Sequence, residues 1–263
     1  MSFATRSLAL VTGASTGIGY ELAKTCASHG FDLLIAADEP EIEIAAQTFR
    51  DLGAMVLAVQ ADLSTREGVD RVLAEIQASG QPVEMLLANA GRGLGHAFLD
   101  QDFEAVRRVV DTNITGTLYL IHKIANQMRE RGRGRILITG SIAGLIPGAY
   151  QAVYNGTKSF LDSFAFALRS ELEDSGVTVT CLMPGATETE FYERADMLDT
   201  ELAAKKKDDP AGVAQKGFEA LILGDAEVIP GWQNKLRAAI AQLLPSDVAA
   251  RLHRHYTEPG HPH

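Results

Sequence analysis

Tyr154 and Lys158 stand four positions apart in the stretch VYNGTKSF. In a helix that interval puts both side chains on one face, one turn apart. A tyrosine ordinarily keeps its proton to a pKa of about 10, and a neighbouring ammonium favours the phenolate and lowers that value. A phenol tuned in this way gives a proton to a carbonyl oxygen or takes one from an alcohol. Ser141, thirteen positions ahead of the tyrosine, carries a hydroxyl able to hold the same oxygen. Each residue has a plain structural reading when taken singly: a surface Tyr-Lys pair, a turn serine. What favours chemistry is their order along the chain, behind a glycine-rich turn.

That turn lies in LALVTGASTGIGYELAKTC, which reads as a strand, a tight turn and an amphipathic helix. Gly13, Gly17 and Gly19 let the backbone turn sharply and approach a bound group. The helix that follows aims its unpaired N–H groups and positive dipole end at the same space, which suits a pyrophosphate. A glycine trio alone also occurs in purely structural turns. Its place directly after a buried strand and before a helix favours cofactor binding.

The elements that must position these residues alternate regularly. Continuous apolar runs at 8–12, 32–37, 55–60, 84–89, 135–140 and 177–183 have the pattern of strands buried on both faces. Helical patterns fall near 17–29, 41–52, 65–79, 101–131, 153–175 and 210–223, with a short strand expected at AEVIP. The expected fold is α/β: a single-domain Rossmann-type doubly wound parallel sheet with helices on both faces. Residues 1–230 form the expected cofactor-binding and catalytic domain, with a flap over about 186–209. Residues 231–263 form a C-terminal helical extension and tail, in which Trp232, Leu236, Ile240, Leu243 and Leu244 recur at helical spacing before Pro245.

In order and spacing, the motifs over about residues 8–190 resemble the short-chain dehydrogenase/reductase family: Thr-Gly-x-x-x-Gly-x-Gly, ANAG at 88–91, NITG at 113–116, GSIAG at 140–144, the Tyr154/Lys158 pair, and PG at 184–185. The resemblance implies an NAD(P)-dependent oxidoreductase that moves a hydride between a nicotinamide and an alcohol/carbonyl pair. It assigns Tyr154 as acid/base, Lys158 as pKa-lowering cation and ribose ligand, Ser141 as orienter of the substrate oxygen, and Asn113 as support for a water relay to Lys158. Cofactor contacts carry over to Gly13, Ser15, Thr16, Gly17, Ile18, Gly19, Asp38, Asp62, Leu63, Asn89, Ala90, Gly91, Tyr154, Lys158, Pro184, Gly185, Thr187 and Thr189. No metal is implied.

Two departures from the family pattern stand out. Ala88-Asn89 replaces a common asparagine pair, so only the Asn89 contact carries over. Gly156 costs roughly 1 kcal/mol against alanine in a helix interior, and the expectation is that its missing side chain opens room beside the nicotinamide.

NAD is the expected cofactor, with NADP as the alternative. An acid at the end of the second strand accepts from ribose hydroxyls and repels a 2′-phosphate, and Asp38 and Glu39 stand there. Thr16 occupies a position where NADP-using members often carry a base. Counting along the family pattern places the usual acid at Ala37, which leaves NADP open. Asp62 is either an acceptor for the adenine edge or a turn and cap residue.

The chain has 263 residues, 46% hydrophobic, with a formal net charge of −10. That charge argues against nucleic acid as a partner. Cys26 and Cys181 read as core residues of a reducing cytosol, and no leader or apolar run of about 18 residues is evident, so the expected location is cytoplasmic. The segments expected to shape a substrate site are apolar, with Leu94, Phe98, Leu145, Ile146, Phe191 and Tyr192, and they suggest a hydrophobic small-molecule substrate. Arg92 is a candidate receiver for an acidic substituent. Phe166, on the otherwise polar side of the 153–175 helix, suggests a second buried face, and the family resemblance implies a homodimer or homotetramer assembled through this helix. The basic tail either packs on its own domain or touches a membrane surface or protein partner. A nucleotide-binding regulator or scaffold of the same fold without turnover is the rival reading.

Overall fold

The computed structural model describes residues 6–260. The chain runs β1 (Leu8–Thr12), α1 (Gly17–Ser28), β2 (Asp32–Ala37), α2 (Ile42–Asp51), β3 (Val56–Gln60), α3 (Arg66–Ser79) and β4 (Val83–Ala88). The second half contains α4 (Phe103–Val110), α5 (Thr117–Arg131), β5 (Gly134–Thr139), α6 (Ala152–Glu171) and β6 (Val177–Leu182). After these come two short helices, α7 (Phe191–Arg194) and α8 (Glu201–Ala204), then α9 (Pro210–Leu223) and β7 (Glu227–Val228). The C-terminal extension forms α10 (Trp232–Leu243) and α11 (Ser246–Thr257).

The strands make one seven-stranded sheet in the order β3-β2-β1-β4-β5-β6-β7, and every ladder is parallel. All five residues of β1 and all six of β2 are buried, because helices cover both faces; hence the unbroken apolar runs. Alternate residues serve opposite cores. Leu8 and Leu10 face one cluster with Ile121 and Val179, while Ala9 and Val11 face another with Leu22 and Phe218. Strand order reverses between β1 and β4, so the loops leaving their carboxyl ends part there and open a crevice.

Two departures from the sequence expectation matter for the site. The pattern over 101–131 reads as one helix, but between α4 and α5 residues Asp111–Gly116 form a π-helical segment. Such segments bulge the ladder and often mark functional positions. Here the bulge lets the backbone pass close to the end of β3: a Cβ on Gly116 would stand 1.8 Å from the Leu63 carbonyl oxygen. The second departure is the tail. It packs on its own domain through small and polar residues: Asn234, Ala238, Ala249, His253 and Thr257 are buried. The stripe of large apolar side chains is not what it buries, since Trp232, Leu236, Ile240 and Leu243 are all exposed. Asn234 explains the choice of face. Its amide donates to the Asp208 carboxylate at 2.5 Å and to the Pro230 carbonyl at 2.8 Å, and it sits against Gly185, where a Cβ would come within 2.4 Å of it.

Among the described residues, no helix is long and apolar enough to cross a membrane. Cys26 and Cys181 are free and buried.

Candidate active site

The carboxyl ends of the strands open into a cleft of about 610 Å³. Its floor is the glycine turn. Gly13 and Gly17 have φ of +66° and +60°, in the left-handed region that glycine occupies without strain. A Cβ on Gly13 would meet the Ala90 Cα at 2.9 Å, and one on Gly19 would meet the Gly13 carbonyl oxygen at 2.0 Å. Only bare backbone packs this closely, and the N-terminus of α1 is left facing the cleft. Ser15, Thr16, Gly17 and Ile18 line it with Gly13, whereas Gly19 lies behind the turn and serves its packing. This cradle of N–H groups fits the diphosphate of a dinucleotide.

Asn89 ties three strand ends together rather than reaching outward. Its amide nitrogen donates to the Thr12 carbonyl at 3.2 Å and its oxygen accepts from the Thr139 hydroxyl at 3.1 Å. The Thr12 hydroxyl accepts from the backbone N–H of both Asn89 and Ala90 at 3.0 Å. Ala90, Gly91, Asp62 and Leu63 line the cleft beside it.

Tyr154, Lys158 and Ser141 share one wall of the cleft. The Lys158 ammonium donates to the Thr139 carbonyl at 2.7 Å and lies 5.8 Å from the centroid of the Tyr154 ring. The Ser141 hydroxyl donates to the Pro184 carbonyl at 3.3 Å and accepts from the Ala143 N–H at 3.1 Å. Asn113 is fully buried in the π segment and does not line the cleft. It accepts from the Arg92 N–H at 2.7 Å and donates to the Arg92 carbonyl and the Thr157 hydroxyl, each at 2.9 Å. It therefore fixes the Gly91–Arg92 backbone beside Lys158: a Cβ on Gly91 would stand 3.4 Å from its oxygen and 3.5 Å from the lysine nitrogen.

The expected acidification of Tyr154 is not what this arrangement gives. Burial pushes its pKa up to about 12, against a lowering by the Ser141 hydroxyl and with a further rise from Asp162. Burial also takes Lys158 down to about 8, partly opposed by the charge of Asp162. Desolvation thus dominates both groups. The phenol holds its proton near neutrality, and the lysine is the group brought toward it.

Asp162 went unrecognised in the sequence, although it extends the 154, 158 series by one more turn. Its carboxylate is 5% exposed. One oxygen accepts from the Ser141 N–H at 3.2 Å and lies 3.6 Å from the Cys181 sulfur; the other has no hydrogen-bond partner among the described residues. Burial raises its pKa to about 6, opposed by the Ser141 N–H and the Lys158 charge.

At the far end of the cleft Asp38 is paired with Arg92 and lies 3.6 Å from Arg108. Arg108 bonds Asp62 at 2.9 Å. Asp62 also accepts from the Ser64 N–H at 3.0 Å and its hydroxyl at 2.7 Å, while Thr65 caps α3. Arg92 is thus committed to Asp38 and is not free to receive a substrate acid. Arg194 comes from the flap to Glu39 at 2.6 Å, to Glu190 and, at 3.4 Å, to the Thr16 hydroxyl. The flap also touches the glycine turn: a Cβ on Gly17 would meet Thr189 at 2.9 Å. Pro184, Gly185, Thr187 and Thr189 all line the cleft.

Of the apolar side chains expected around a substrate, Ile146, Phe191 and Tyr192 line the cleft. Phe191 packs on Tyr154 with ring centroids 5.0 Å apart. Leu94 and Leu145 do not reach the lining, and Phe98 is exposed. Gly156 is exposed with no atom within 4 Å of a Cβ built on it; it does not border the cleft, so it opens no room there.

Residues 7–197 match the family described as short chain dehydrogenase. The chain belongs to that family. It is 31% identical over 239 residues to an NADP-dependent 3-hydroxy acid dehydrogenase of Salmonella typhimurium, covering 89% of this chain and 91% of that one. Among solved structures, a short-chain dehydrogenase from Sphingobium yanoikuyae in complex with NADPH superposes with a TM-score of 0.80 at 27% identity, covering 90% and 94% of the two chains. A bulky-bulky ketone specific alcohol dehydrogenase from Comamonas testosteroni gives a TM-score of 0.76 at 26% identity, over 91% and 94%. This short-chain dehydrogenase is an NAD(P)-dependent oxidoreductase, acting by hydride transfer between a nicotinamide and an alcohol/carbonyl pair.

Proposed function

We propose that this dehydrogenase interconverts a hydrophobic ketone or aldehyde and its alcohol, with Tyr154 as the general acid/base. The observation that carries the reading is the shared wall: phenol, ammonium and serine hydroxyl line the same cleft as the glycine cradle. When bound, the nicotinamide supplies or accepts the hydride. Ser141 holds the substrate oxygen, its own backbone steadied by Asp162. Tyr154, which keeps its proton near neutrality, donates it to that oxygen as charge develops there, and takes it back in the reverse direction. Lys158, with a pKa brought down to about 8, stabilises the phenolate left behind and is a ready source of the replacement proton. Asn113 keeps the Gly91–Arg92 backbone in place beside it.

In this reading Asp38 favours NAD through its carboxylate, with Arg92 and Arg108 as the groups that would accept NADP if the acid were removed. Within the described residues, 6–230 carry cofactor and chemistry and 231–260 close the substrate end; residues 1–5 and 261–263 of the expected division lie outside the described residues. The chain acts as a homo-oligomer in the cytoplasm, its contact including the exposed Phe160 and Phe166 on α6; size-exclusion chromatography with light scattering reads the subunit number, and a monomer refutes this part.

The test of the reaction is oxidation of NADH and NADPH with a panel of hydrophobic ketones and aldehydes. Tyr154→Phe is expected to lose at least about a hundredfold in kcat, the usual worth of a general acid, while still quenching on cofactor titration. Equal rates in both proteins remove the reading.

A further inference from the structure

The substrate end of the cleft has a charge pattern that the chain as a whole lacks. Among the described residues the acids lining the cleft are Asp38, Asp62 and Glu190, and each is held by an arginine: Arg92, Arg108 and Arg194. All three acids lie at the cofactor end or on the flap beside it. The extension contributes no lining carboxylate among the described residues, but it contributes Arg237, on α10. No hydrogen bond or ion pair holds Arg237 among the described residues. The other lining cation there, Lys205, is committed to Glu201 at 2.8 Å and to the Tyr256 ring at 3.5 Å. On a protein of net charge −10, an unpartnered guanidinium bordering a cleft between apolar walls is a distinct recognition element.

We infer that the substrate is an apolar carbonyl compound bearing an anionic group, a carboxylate or an acid of similar shape, remote from the reacting carbon and received by Arg237. The inference rests on the hydrophobic-ketone reading and narrows it. A guanidinium presents a planar fork of donors that matches a carboxylate, and it is more weakly hydrated than an ammonium, so it pairs well at the rim of an apolar site. Ile240 and Ala241 on the same helix, with Ile146 and Leu252 also on the lining, supply apolar surface that the body of such a molecule would cover. Arg237 is exposed, so its replacement leaves the packing of Asn234 and Ala238 intact.

Three probes decide the matter: a straight-chain methyl ketone of about ten carbons, the same chain ending in a carboxylate, and the methyl ester of that acid. Reduction of each is followed with the preferred cofactor at low and at moderate salt. The expected result is a kcat/KM for the acid at least about tenfold above that for the ester, carried mainly by KM and shrinking with salt. Arg237→Ala should bring the acid to within about twofold of the ester while leaving the ester and the plain ketone unchanged, and Arg237→Lys should keep part of the preference. Turnover of all three without preference for the acid, or an Arg237→Ala loss shared equally by acid and ester, overturns this inference and leaves the ketone reading standing. Failure of all three to oxidise the reduced cofactor overturns the ketone reading, and this inference with it.

Discussion

Replacing Lys158 by methionine should make the cofactor-free protein more stable at neutral pH and less stable at high pH. The folded-state pKa of about 8, against an ordinary 10.5, means that the ammonium is disfavoured by folding at about 3 kcal/mol near pH 7. Between pH 8 and 10.5 the unfolded chain binds a proton that the folded chain has released, so wild-type stability rises with pH across that window. By pH 10 the penalty has shrunk to about 1 kcal/mol. Methionine removes it at every pH and keeps most of the apolar stem, but leaves the Thr139 carbonyl without its 2.7 Å donor, at a cost of about 2 kcal/mol. The variant should therefore lead wild type by about 1 kcal/mol near pH 7 and trail by about 1 kcal/mol near pH 10. Urea unfolding of both proteins from pH 7 to 10 measures the crossing. Titrations remote from Lys158 cancel in the difference; Asp162, which the ammonium holds down at about 6, moves up in the variant, so its contribution is confined to the low-pH end of the comparison. Parallel pH curves, or a methionine advantage that grows with pH, would refute the claim that desolvation governs this lysine.

Three further outcomes follow from the same geometry. Asp162 has its pKa raised from 3.8 to about 6, so folded wild type should lose about 2 kcal/mol as pH rises from 4 to 6; Asp162→Asn should lack that loss, read as a pH-dependent difference in urea midpoints. Gly156→Ala, at an exposed helical position with open space around it, should gain about 1 kcal/mol and raise Tm by about 2–4 °C with KM unchanged for bulky substrates; a changed substrate profile would restore the idea that this glycine borders the cleft. Asp38→Asn removes the carboxylate between Arg92 and Arg108 and should move the NADPH/NADH ratio of kcat/KM about tenfold toward NADPH, the worth of about 1.4 kcal/mol of charge interaction.

The sheet was legible because its strands are buried on both sides: six continuous apolar runs could be read directly, with boundaries displaced by a residue at most, as at 84–89 against Val83–Ala88. The Tyr154–Lys158 spacing was legible because α6 is regular there. What the sequence hid is of another kind. The π segment at Asp111–Gly116 leaves no periodic trace, and the close packing of Gly116 on Leu63, beyond the end of β3, joins positions far apart in the chain. The direction of the Tyr154 pKa depends on how far burial outweighs a neighbouring charge, and spacing carries no measure of burial. Arg92, Arg108 and Arg194 reach the cofactor end from three separate segments, so a search confined to the residues after β2 finds only acids. Asp162 was within reach: an acid in the 154, 158, 162 series on a core-facing helix calls for a partner.

The placement of the last helix has a practical side. Thr257 donates to the Ala149 carbonyl at 2.8 Å, Tyr150 to Glu258 at 2.7 Å, and the Gly260 N–H to Asp199 on the flap at 3.1 Å. Whatever is fused after this helix, whether an affinity handle, a fluorophore or a surface linker, would be delivered beside the flap and next to the cleft-lining His253 and Tyr256. The opening of β1 at Leu8 lies at the opposite end of the sheet, about five residues of strand or roughly 17 Å from the glycine turn. A label carried at that end stays away from the cleft, so immobilisation and display are better arranged from there.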